Sequence, residues 1–120
     1  MSEKKVNAID VRNVTKIYTS GNAQTKALKN ANLTLGQIDV IESNEAFAAQ
    51  ALAVQNGLGF DTSVTNINGG AIALGHPVGA TGAILVIKVI SELKRTNTKL
   101  GLVTMCIGGG QGIAIALQMV

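Results

Sequence analysis

The sequence predicts an α/β domain, a mixed sheet layered with buried helices, and three observations carry that prediction. Leu100–Gly108 is an unbroken apolar run, and residues 111–120 alternate in size, with a triple glycine between them. Helical periodicity fills the segments at 45–57 and 79–95, which precede these strands. Finally, 120 residues suffice for one domain with a modest core. At 47% hydrophobic but only 2% aromatic, that core must consist of Ile, Val, Leu and Ala packed through many small residues.

The elements follow in order. Residues 25–37 (TKALKNANLTLGQ) open with helix formers and predict a helix that closes at Asn32 or Gly36. Residues 38–44 start as a strand and end in two capping residues, Ser43 and Asn44. A helix is then expected over 45–57, with Glu45 near its positive end and Gly57 as its C-cap. Its apolar residues fall on nearly every side, which predicts a buried helix. A glycine cluster leads to a second helix over 79–95, whose polar stripe is Lys88, Glu92 and Arg95. Leu100–Gly108 reads as a central strand buried on both faces, and Gly108, Gly109 and Gly110 as a turn. In the last strand Ile113, Ile115, Leu117 and Met119 share one face, and Gly112, Ala114 and Ala116 the other. The small face is expected to let a helix pack close. The tetrapeptide AIAL occurs twice, at 71–74 and 114–117, which so alanine-rich a chain explains by composition.

Several classes of function are excluded. The net charge of +3 comes from scattered lysines and arginines, and Tyr18, Phe47 and Phe60 are the only aromatics. There is neither a basic run for a phosphate backbone nor a platform for stacking bases, so no nucleic-acid partner is expected. Two uncharged stretches, 69–87 and 100–120, are long enough to span a bilayer, but glycines, Pro77, His76 and glutamines interrupt them, so no membrane partner is expected. Cys106 is the sole cysteine, so there is no intrachain disulfide. With no apolar stretch behind MSEKK, a reducing, cytoplasmic setting is expected.

The only histidine and only proline stand side by side in NGGAIALGHPVGATGA, residues 68–83, among five glycines. Pro77 pushes His76 out of the helical region, and the glycines remove side chains that would shield the imidazole. A histidine there can be structural, or it can be presented to a ligand. Cys106, near the end of a buried strand, can be a small hydrophobe or a thiolate stabilised by the glycine turn's N–H groups. Asn44, between strand and helix, can be a plain N-cap.

Three segments together narrow these alternatives. NEAFA at 44–48, NGGAIALGHPVGATGA at 68–83 and CIGGGQG at 106–112 resemble the three C-terminal motifs of the thiolases, in the same order. Those enzymes are acetyl-CoA acetyltransferases and their 3-ketoacyl-CoA relatives, and the resemblance runs over residues 25–120. It implies a thiolase-like half. His76 would activate a catalytic thiol and help stabilise the thioester oxygen. Cys106 would be the acid/base that removes an α-proton from a second acetyl-CoA in condensation and protonates the leaving thiolate in cleavage. Gly108 would lend its N–H to one oxyanion hole, and Asn44 would hold a water of the other. Ala46 and Phe47 would lie near the pantetheine arm of coenzyme A. The resemblance implies coenzyme A thioesters as substrates, no metal and no permanently bound cofactor.

The chain departs from the family in its thiols. A thiolase takes its nucleophilic cysteine from an N-terminal half, and no such half or nucleotide-gripping loop is found in these residues. An N-terminal half from elsewhere, or a homo-oligomer, is therefore an expected partner, and the chain alone is expected to be inactive. Residues 8–35 also resemble the opening of an ABC-transporter ATPase, but no phosphate-binding G-x-x-x-x-G-K-[ST] follows, so residues 1–24 are left as an unassigned segment. Two alternatives stay open: a hydrolase with Cys106 as nucleophile and His76 as base, and a non-catalytic remnant that folds only with a partner.

Overall fold

The computed structural model describes residues 32–120, together with the backbone of 15–17. The strands are β1 (Thr15–Ile17), β2 (Val40–Ser43), β3 (Leu100–Gly108) and β4 (Gln111–Gln118), and the helices α1 (Ala48–Leu58), α2 (Ala71–Leu74) and α3 (Thr81–Thr96). The sheet order is β1-β4-β3-β2. β2 and β3 are parallel, while β3 with β4 and β4 with β1 are antiparallel, so the expected mixed sheet forms. Most of residues 1–24 and of the helix expected over 25–37 lies outside the described residues. The remainder of that helix is a turn at Asn32 and a 3-10 turn at Leu35–Gln37.

Antiparallel β3 and β4 need only a tight turn, which Gly108, Gly109 and Gly110 supply with φ of +89°, +58° and +72°. A parallel pair needs a crossover, and here 61 residues of register offset, Val40 opposite Gly101, are taken up by the helices. Asp39 pins that register: its Oδ2 accepts the N–H groups of Lys99 and Leu100 at 3.0 and 2.8 Å. Beyond β2 the edge is covered by residues 64–66, which exchange backbone hydrogen bonds with Ile41 at 2.8 Å.

Two buried clusters flank the sheet. On one face Val40, Val103 and Leu117 pack under Leu85, Val89 and Leu93 of α3. On the other, Ile41, Leu102 and Ala114 meet Ile38 and Phe60. The close approach of α3 comes from Gly101 on β3, where a methyl group would overlap Val89 Cγ1. The helix thus lies against the large-residue face of β4, not its small face. Ala114, on the small face, faces the Phe60 cluster instead.

α1 corrects the sequence reading in three ways. It begins at Ala48 after an extended Phe47, it is capped by Gly59 rather than Gly57, and none of its residues is buried. Ser43 and Asn44 do not cap it, because β2 carries both into the core and the Asn44 N–H pairs with Thr104 O at 2.9 Å. α1 is only partly covered among the described residues: Val54 and Leu58 pack against the Phe60 cluster, while Leu52 is 58% exposed. In α3 two members of the polar stripe lie inward: Glu92 is buried and Lys88 largely covered, while Arg95, Ile84 and Ile87 are exposed.

Candidate active site

β2 and β3 end side by side, and the candidate residues gather at those carboxyl ends, where open α/β sheets bind ligands. Asn44 follows β2 directly and is 2% exposed. Its side-chain Nδ2 lies 3.5 Å from His76 Nε2. His76 is half-buried, and its Nδ1 lies 2.7 Å from the hydroxyl of Thr81, the first residue of α3. The imidazole is therefore held at both nitrogens, by one residue that ends a strand and one that opens a helix.

The loop bearing His76 is braced by carboxylates. Glu45 Oε2 accepts the N–H of Ile72 in the first turn of α2 at 2.9 Å, and its Oε1 accepts Asn66 Nδ2 at 3.1 Å. A Cβ at Gly70 would overlap the Glu45 carboxylate, so a larger residue there would displace that side chain. Glu42 is 1% exposed, and its Oε2 pairs with Lys88 Nζ at 2.5 Å. Lys88 Nζ also donates to the carbonyl of Gly69. Burial pushes the Glu42 carboxyl above its ordinary range, an effect the ion pair with Lys88 partly opposes. Glu92 accepts from Arg95 and from Asn68 Nδ2, and those bonds hold its pKa down to about 2. Three acidic side chains thus fix residues 66–72, and through α2 they fix Gly75 and His76.

Cys106 is exposed on β3, two residues beyond Thr104, which the Asn44 N–H reaches. It pairs across the sheet with Gly112, and the register slips between Cys106 and Gly108. Such a bulge turns the strand end and frees backbone groups. Gly108 is exposed, with nothing within 4 Å of where a Cβ would stand. Ala46 is half-buried and Phe47 is 75% exposed. The structure thus joins Asn44 to His76 by direct contact and places Cys106 and Gly108 further along β3, the strand beside β2. Ala46 and Phe47 lie on the chain between Asn44 and α1.

Two further features belong to this region. Asn44 Oδ1 is buried with no hydrogen-bond partner among the described residues. A void of about 20 Å³, room for one water, is lined by Asn44, Gly70, Gly75, Thr81 and Lys88 among others. A separate, almost wholly apolar cavity of about 470 Å³ opens between α3 and the sheet, walled by Val86, Ile87, Met105 and Ile113 among others. Reading the sequence missed Thr81, Glu42 and Lys88. A lone glutamate in VIES and a lone lysine in ILVIKVI, each amid apolar residues, were the available signal for a buried pair.

Comparison with known proteins agrees with the motifs. The family described as Thiolase, C-terminal domain, matches residues 4–119, further toward the N-terminus than the 25–120 drawn from the motifs. Acetyl-CoA acetyltransferase of Escherichia coli (strain K12) is 55% identical over 96 residues, and that of Allochromatium vinosum 51%. Each alignment covers 80% of this chain and 24% of the relative, so the chain spans about a quarter of their length. The crystal structure of human mitochondrial 3-ketoacyl-CoA thiolase superposes with a TM-score of 0.78 at 50% identity, over 80% of this chain and 24% of that one. The same enzyme is also solved in complex with CoA, with a TM-score of 0.78.

Proposed function

Because the chain belongs to the thiolase C-terminal domain family, we propose that it forms the acid/base half of an acyltransferase site acting on coenzyme A thioesters. The contact of Asn44 with His76, beside an unpartnered buried Asn44 Oδ1, supports this reading most strongly. A buried amide oxygen without a partner costs on the order of 1–3 kcal/mol, which a water in the adjoining void would relieve. That water and the imidazole would together face the carbonyl oxygen of an acyl group.

In this reading Cys106, as thiolate, takes a proton from the α-carbon of acetyl-CoA. The C–H electron pair becomes the enolate, whose oxygen the Gly108 N–H stabilises. The enolate carbon attacks the acyl group carried on a nucleophilic thiol, and the departing thiolate collects the proton from Cys106. Cleavage of a 3-ketoacyl-CoA runs the same steps in reverse. The nucleophilic thiol comes from the N-terminal half of a thiolase, in the same polypeptide or another, and His76 deprotonates it. The 120 residues contain one cysteine, so the nucleophile is not among them. The apolar cavity beside α3 and the exposed Phe47, Ile72, Leu74 and Val78 support a site completed by further protein.

Deuterium exchange into the methyl group of acetyl-CoA isolates the proton-transfer step. In D2O, the chain combined with a thiolase N-terminal half is expected to label the methyl group. Cys106→Ser is expected to abolish the labelling. Labelling that survives Cys106→Ser would remove Cys106 from the acid/base role.

A further inference from the structure

The imidazole has two nitrogens, and only one can accept a proton in the neutral ring. Which one it is depends on where the Thr81 hydroxyl sends its single proton. Thr81 is 3% exposed and stands one turn after Pro77. Its Oγ1 donates to the carbonyl of Pro77 at 3.0 Å, the back-bond that a threonine hydroxyl makes to the residue four before it. A carbonyl oxygen only accepts, so in that contact the hydroxyl is the donor. With the hydroxyl proton on that carbonyl, the 2.7 Å contact between Thr81 Oγ1 and His76 Nδ1 is made by a proton on the ring. At the other nitrogen, Asn44 Nδ2 is a donor 3.5 Å away and suits a lone pair on Nε2.

We propose that Thr81 is the positioning residue that holds the His76 proton on Nδ1 and so makes Nε2, on the Asn44 side, the proton-accepting atom. The histidine side chain in water prefers its proton on Nε2, so the folded chain reverses the intrinsic preference. The arrangement resembles a catalytic histidine oriented by a carboxylate, with a hydroxyl and a carbonyl relaying the role. Pro77 sits at both ends of the relay, because it follows His76 directly and its carbonyl accepts from the Thr81 hydroxyl. The Pro77 carbonyl also accepts the N–H groups of Ala80 and Thr81, at 2.7 and 2.9 Å, so the turn between His76 and α3 is closed by its own backbone. Only the catalytic consequence rests on His76 deprotonating the nucleophilic thiol. The tautomer is a property of the folded chain alone.

His76 is the only histidine, so its ring nitrogens give unambiguous signals in 15N NMR. In mildly alkaline buffer, where imidazoles are neutral, the full chain is expected to show a protonated Nδ1 and an unprotonated Nε2. The Nδ1 proton should exchange slowly with water. Thr81→Val, which keeps the shape but not the hydroxyl, should lower the ratio of Nδ1–H to Nε2–H about fivefold, the equivalent of one net hydrogen bond. Thr81→Ser should restore the wild-type ratio. A proton on Nε2 in the wild-type chain overturns the proposal, as does an unchanged ratio in folded Thr81→Val. Should the valine variant not fold, the wild-type tautomer and the serine ratio still decide, and rapid exchange of the ring proton counts against it. No substrate is involved, so a failed acyl-transfer assay and a failed tautomer assignment remain separate results.

Discussion

Replacing Lys88 with methionine removes a cation and leaves most of the side chain's packing in place. Glu42 is 1% exposed and its Oε2 lies 2.5 Å from Lys88 Nζ, so the variant strands a carboxylate in the core between β2 and α3. Removing one partner of a buried pair costs about 3–5 kcal/mol when the other must stay charged. Glu42 has an escape, since protonation would neutralise it. Burial already pushes its pKa up, and losing Lys88 removes both influences that pull it down, while the charges of Glu45 and Glu92 push it further up. A group whose folded pKa is raised contributes stability that is fully present below its unfolded pKa and is lost as pH rises through the folded one. The Lys88→Met deficit should therefore be small near pH 4 and grow with pH, by at most about 1.4 kcal/mol per unit for a single proton. About 3 kcal/mol is expected at pH 7, with most of it recovered by pH 5. Urea denaturation followed by circular dichroism across this range measures it. The double variant Glu42→Gln, Lys88→Met should be close to wild type at pH 7. A Lys88→Met chain as stable as wild type at pH 7, or one with a pH-independent deficit, would refute the buried-pair reasoning.

Other substitutions probe separate links. Gly101→Ala places a methyl group on Val89 Cγ1 beneath α3, and overpacking of that kind should cost about 1–3 kcal/mol in thermal denaturation. Gly82→Ala is the contrast: its Cβ would meet only Met105 Sδ, at 3.5 Å within a helix, so it should stabilise by up to about 1 kcal/mol. Arg95→Gln removes the largest influence that holds Glu92 at a pKa of about 2. A depressed carboxylate contributes stability above its unfolded pKa that is lost as pH falls through the folded one, so the acid-unfolding midpoint should move to higher pH. Gly70→Ala would push the Glu45 carboxylate off the Ile72 N–H, and the loosened loop should broaden the His76 ring signals.

The strands were legible because their signals are local: the apolar run of β3, the alternation of β4 and the triple glycine between them. The same tetrapeptide shows where locality ends. AIAL is helical at Ala71–Leu74, where the Glu45 carboxylate holds an N–H of its first turn, and extended in β4, where β3 pairs alongside. No property of those four residues separates the two outcomes. The limits of α1 were misplaced for a related reason: Asn44 has the chemistry of a cap, but β3 draws it into the sheet through Thr104. Asn44 and His76 could be named from their motifs, and the structure brings their side chains into contact. Thr81 was not legible, and Glu42 and Lys88 only as lone charges, because each acts through a partner that sequence spacing does not place.

The central claim is that these residues supply proton handling but not the nucleophile of a thiolase site. Acetoacetyl-CoA thiolysis, followed at the thioester's absorbance with and without a thiolase N-terminal half, tests it most directly. The 120-residue chain alone should give no measurable turnover, since loss of a nucleophile costs on the order of a millionfold in rate. With the half added, turnover should appear and should vanish in Cys106→Ser. Robust turnover by the chain alone would contradict the account and make Cys106 the nucleophile.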